Sequence, residues 1–200
     1  MNESVPDPDH TNAFTMFCFA SVTEPKVINQ VAALLGRAAR YTDLWGYECE
    51  LLAAALDEPT GRVAYLESRA KKKWWSSWID VTIKVHLRDA DGRDRFCDIQ
   101  TYNPFFGCGV FHFEWYDETA VLIYEEKHAI YACTCSPHWP PKFVELGDFW
   151  VIKDNMLGYR SYQQEQVQRL MLPTLTPLEP LSLSDAEAVG LVPVDMSDQE

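Results

Sequence analysis

The sequence predicts an α+β fold: a twisted antiparallel β-sheet, a meander of about six to eight strands, with one main amphipathic helix packed on one face. Three observations predict it. From Ile79 onward, Ile79, Val81, Ile83, Val85 and Leu87 alternate with Asp80, Thr82, Lys84, His86 and Arg88, the period of a half-buried strand. The apolar runs that follow are joined by short polar links, which suit antiparallel pairing because parallel strands need long crossovers. Near the start, Val27, Ile28, Val31, Leu34, Leu35 and Ala38 recur at helical spacing.

In chain order, residues 14–20 are aromatic and β-prone and predict a first strand. Ser21, Val22, Thr23 and Glu24 have capping-box spacing, and Pro25 suits a first helical turn, so the helix is placed over 24–40. Residues 41–46 read as a connection. The segment 47–56 is ambiguous: its three consecutive alanines favour helix, whereas Tyr47, Cys49 and Leu51 alternating with Glu48 and Glu50 favour strand. The turn residues Glu58, Pro59, Thr60 and Gly61, followed by an apolar run from Val63, tip the reading to a hairpin. Asp89 to Gly92 closes the next hairpin, and its returning strand covers 93–102. Strands at 110–116, 120–126 and 128–135 extend the meander. Pro137, Pro140 and Pro141 end it, and 143–153 reads as a strand pair or an edge strand.

Residues 162–171 are Gln-rich and predict a short helix. Beyond Pro173, Leu172, Leu175, Leu178 and Leu181 recur every third residue with prolines between them, the period of polyproline II. The organisation that follows is a disordered acidic N-terminus at 1–12, one α+β domain at 13–172, and a Pro/Leu-rich acidic C-terminal tail at 173–200.

The charge of −13 is concentrated at the ends, which hold nine of the 30 acidic residues and no Lys or Arg. The central region has 21 acidic residues against all 17 basic ones, a net −4. A DNA-mimic role loses its main support. Nucleic-acid binding is disfavoured because phosphate contacts need clustered positive charge. An apolar content of 47% is enough for a full core, yet no uninterrupted apolar run is long enough to span a bilayer. The acidic, proline-containing start is unlike a secretory leader, so the expectation is a cytoplasmic protein with its six cysteines as thiols.

Three clusters could carry chemistry. Lys84, His86 and Asp98 on two neighbouring strands, with His112 and Glu114 two strands on, would form one acid–base or metal-assisted patch if register aligned them. A solvated sheet face explains them equally. Asp80 and Lys84 lack the spacing of a metal-dependent nuclease core. Cys133, Cys135 and His138 are the nearest approach to a zinc site, but the two-residue gap usual between paired cysteines is absent, and buried thiols account for the pair. Cys108, between two glycines, could be a nucleophile with His112 or His128 as base, or simply part of a tight bend.

Two further features suggest binding. Trp74, Trp75 and Trp78 follow Arg69, Lys71, Lys72 and Lys73, and tryptophan beside cations is favoured at protein interfaces. Leu175, Leu178 and Leu181 offer a stripe that either packs on its own domain or docks a partner. No Walker loop, dinucleotide-binding glycine motif, nucleophile elbow or zincin helix is present. The expectation is therefore a non-enzymatic protein-interaction module, for instance an immunity-type or regulatory binder of another protein. It would need no cofactor and make no contact with nucleic acid or membrane. A small hydrolase or metal-assisted enzyme on the polar sheet face is the alternative.

Overall fold

The computed structural model describes residues 23–72, 79–99, 110–126, 129–191 and 194–195. The strand expected at 14–20 and Trp74, Trp75, Trp78, Cys108 and His128 lie outside them.

The single sheet with one main helix is not what forms. The described residues are mostly β, built into three separate antiparallel sheets with two short helices. The first sheet contains β1 (Arg40–Thr42), β2 (Glu48–Asp57), β3 (Arg62–Lys72), β4 (Ile79–Arg88) and β5 (Asp94–Ile99), in chain order. The second contains β6 (Val110–Tyr116), β7 (Thr119–Glu126), β8 (Ala129–Cys135) and β9 (Lys142–Glu145). The third comprises β10 (Phe149–Lys153), β11 (Met156–Arg160), β12 (Gln166–Met171), β13 (Thr176–Ser182) and β14 (Val194–Asp195), ordered β13-β12-β11-β10-β14. The helices are α1 (Pro25–Leu34) and α2 (Leu183–Ala188).

The difference has a physical source. Alternation fixes which way a side chain points, not which strand lies alongside. β5 and β6 are consecutive but belong to different sheets, so the expected meander is cut between them. The second sheet is then stacked between the other two. On β7, Leu122 and Tyr124 pack with Leu66, Ile83 and Val85 of the first sheet. Their neighbours Val121 and Ile123 pack with Leu157, Leu170 and Leu175 beside the third. A strand buried on both faces needs a continuous apolar run, and residues 120–124 supply one. The helices cover part of each outer face: Val31 and Ala32 of α1 against Leu51, Ala54, Val63 and Tyr65, and Ala186 of α2 with Leu191 against Val167.

The helix near the start is shorter than its apolar stripe implied. Gly36 adopts φ +69°, its N–H donates to Ala33 O at 3.0 Å, and Arg37 N–H reaches Ala32 O at 3.1 Å. These two bonds form a Schellman cap, which a left-handed glycine closes at no steric cost. The expected capping box is not used either: Glu24 is the N-cap without a side-chain bond, and the Thr23 hydroxyl bonds Ala54 of β2.

The ambiguous segment 47–56 is a strand, β2. A bulge between Leu51 and Ala53 shifts its alternation by one residue, so Leu51 and Ala54 face α1 while Leu52 and Ala53 face the second sheet. The 162–171 helix is also corrected. Residues 166–171 are β12, paired with β11 and β13. The polyproline II segment is likewise replaced by β13, an edge strand, where proline is tolerated.

Candidate functional site

Among the described residues, α1 covers β2 and β3 and no element covers the outer face of β4 and β5. Lys84 and His86 stand on that face, because the alternate residues Ile83, Val85 and Leu87 are buried toward the second sheet. Register sets Lys84 opposite Glu67 on β3 and Asp98 on β5, and His86 between Tyr65 and Phe96. The His86 and Tyr65 rings stack, with centroids 4.5 Å apart and planes 4° from parallel. Asp94 then joins them: it accepts the Tyr65 hydroxyl at 2.9 Å, and its other oxygen lies 3.3 Å from His86 Nδ1. Burial lowers the His86 pKa, against the opposing pull of Asp94 and Glu67. The Tyr65 phenol is raised by burial and by Asp94. A histidine oriented through Nδ1 by a carboxylate presents Nε2 as acceptor.

His112 and Glu114 are elsewhere. Phe113 and Trp115 of β6 pack toward the first sheet, so His112, Glu114 and Tyr116 stand on the opposite face of the second sheet. There His112 Nε2 lies 3.3 Å from the Tyr116 hydroxyl and 3.6 Å from Glu114. Burial lowers His112 and, with Glu114, pushes Tyr116 up to about 12. Packed sheets lie about 10 Å apart. Both sheets and the buried layer between them therefore separate this trio from Lys84 and His86, so His112 and Glu114 do not meet those two at one centre.

Cys133 and Cys135 are buried in the core between the first and second sheets, with sulfurs 3.8 Å apart. Burial pushes the Cys133 thiol up to about 12. Cys135 is disulfide-bonded, unlike the all-thiol expectation. His138 points away, exposed and bonded to Glu118. Among the described residues no group of three or more His, Cys, Asp or Glu side chains could hold a metal. The tail leucines separate too: Leu175 is buried beside the third sheet, Leu181 packs near Val167 and Ala186, and Leu178 sits half-buried opposite Arg169.

The feature that sequence reasoning passed over lies in the connection between β1 and β2. Asp43 organises it. One carboxylate oxygen accepts the N–H groups of Trp45 and Tyr47, each at 2.9 Å, and the other accepts Arg69 Nε at 2.8 Å. Its backbone N–H bonds Tyr47 O at 2.9 Å, and Gly46, at φ +74°, closes the turn onto Asp43 O. Desolvation works against the Asp43 charge, yet the bonds from Tyr47, Arg69 and Trp45 hold its carboxyl below the usual range. The Arg69 guanidinium lies 4.1 Å over the Tyr47 ring, and Lys71 Nζ donates to Trp45 O. The outcome is a braced turn whose two central side chains face water: Leu44 fully exposed, Trp45 73% exposed. The signal was legible as an Asp-x-x-Gly turn, whose side chain bonds the backbone ahead of it.

Searches against protein-family models, curated proteins and solved structures find no match for this chain. Across the described residues, the fold and this site define a three-sheet β protein with an aromatic tip braced by hydrogen bonds.

Proposed function

We propose that the protein is a binding module for another protein and that the Leu44–Trp45 tip is its principal contact. The supporting observation is the pairing of exposure with rigidity. Isolated exposed apolar residues are common on surfaces and need no explanation. Here both apolar side chains are held out by a turn whose carboxylate accepts four hydrogen bonds, two from backbone N–H groups and two from Arg69, with cations fixed behind it. Tryptophan anchors bind best when pre-organised, because less conformational entropy is lost on docking.

The test is a photo-crosslinking residue at position 45, compared with one at Tyr162, which is exposed to a similar degree at 66%. The reading expects a discrete adduct from position 45, none from 162, and loss of the adduct when Asp43→Ala releases the turn. Equal labelling from both positions, or none from 45, overturns it.

The Asp94–His86 pair favours a second reading, general-base chemistry on the open face of β4 and β5. If His86→Gln leaves hydrolysis of activated esters unchanged across pH, this reading is abandoned.

A further inference from the structure

The end of the first sheet farthest from the Leu44–Trp45 tip carries a recess of about 190 Å³. It forms where β3 begins, β4 ends and β5 begins, against the β6–β7 turn and the chain after β8. Its apolar wall is Leu87 and the Trp115 ring, whose indole N–H is committed to Ala55 O at 3.1 Å. Around this wall stand five groups able to carry charge: Arg62, Asp89, Arg95, Glu118 and His138.

Three of these are satisfied among themselves. Arg62 bonds one oxygen of Glu118 at 2.8 Å, and His138 Nε2 engages the other. Those two bonds hold the Glu118 carboxyl below its usual range. That leaves Asp89 and Arg95. Arg95 gives one N–H to the carbonyl of Pro137 and, among the described residues, has no carboxylate partner. The Asp89 carboxylate likewise has no ion pair or side-chain hydrogen bond among the described residues. The two line one recess without pairing to each other.

We propose that this recess binds a small zwitterion of the α-amino-acid class. The ligand carboxylate sits on the guanidinium of Arg95, which has donors to spare in a planar fork matched to carboxylates. The ligand ammonium sits on Asp89. An apolar side chain lies against Trp115 and Leu87. The volume suits a ligand of this size, being about six times a water molecule's share of the liquid. A ligand of one charge would satisfy only half of the pair.

The experiment is a titration of the full chain followed by the Trp115 indole N–H resonance. The probes are L-valine, isovalerate, which lacks the ammonium, and isobutylamine, which lacks the carboxylate. Saturable binding of L-valine is expected, with each single-charge analogue at least about tenfold weaker, because one charge-assisted contact is lost. Arg95→Gln and Asp89→Asn should each weaken L-valine by about tenfold or more. Both leave the Arg62–Glu118–His138 set intact, so an unchanged unfolding midpoint separates lost binding from lost fold. Equal affinity for isovalerate and L-valine would reduce the recess to a simple anion site and overturn the proposal. So would the absence of any saturable change at Trp115, or unchanged binding in both variants.

Discussion

Asp94 illustrates what can be read at the scale of a residue. Alternation alone places Lys84 and His86 on one face, and they are there. The carboxylate that joins His86 was not foreseeable, because Asp98 has the same parity as Asp94 and the choice depends on strand register. In the structure His86 faces Phe96, and Asp94 reaches it diagonally from the position opposite Arg88. A pH dependence follows. His86 and His112 have folded pKa values below their ordinary 6.5, each because burial disfavours the imidazolium. Below pH 6.5 the unfolded chain binds protons that the folded chain resists, so stability should fall as pH drops from there. Asp94 opposes the depression at His86, so Asp94→Asn should move the His86 titration to still lower pH. Ring-proton NMR reads this directly. A titration that stays in place or rises would mean that Asp94 does not act on His86.

At the scale of elements, the hairpins were legible because their turns are chemically marked: Gly61 and Gly92 both take positive φ where the sequence placed turns. Sheet membership was not marked. The run 120–124 carries the relevant information, since a one-sided strand does not need apolar residues at both parities, but the same run also fits one more strand of a meander. β7 therefore offers a discriminating measurement. Leu122 faces the first sheet and Ile123 the third, both essentially fully buried. Leu122→Ala and Ile123→Ala should each destabilise by about 2–5 kcal/mol in denaturant unfolding. In a sheet with one wet face, one of two adjacent residues would be exposed, and its substitution would change stability by only about 0.5 kcal/mol or less. One small and one large effect would contradict the three-sheet stack.

Taken together, the described residues stack as α1, three sheets and α2, and the last layer depends on residues that composition set apart. Residues 173–200 are acidic and rich in proline and leucine, which resembles a tail when only composition is considered. Within them lie β13, α2 and β14, and Leu175, Ala186 and Leu191 are buried to 5% or less. Composition misleads here because an edge strand tolerates proline and exposed charge, and β13 has both. Removing the segment after Leu172 would uncover Val167 and Leu170 on β12 while deleting three buried apolar side chains. The two leucines alone represent roughly 1.5–3 kcal/mol each, against a total stability of about 5–15 kcal/mol for an ordinary domain. A chain truncated at 172 should therefore lose its cooperative transition, or unfold at a much lower denaturant concentration than the full chain. The readout is a paired denaturant titration followed by far-UV circular dichroism and tryptophan emission. Coincident, unshifted transitions in the truncated chain would mean that the third sheet gains nothing from its outermost strand, and that the stack ends at β12.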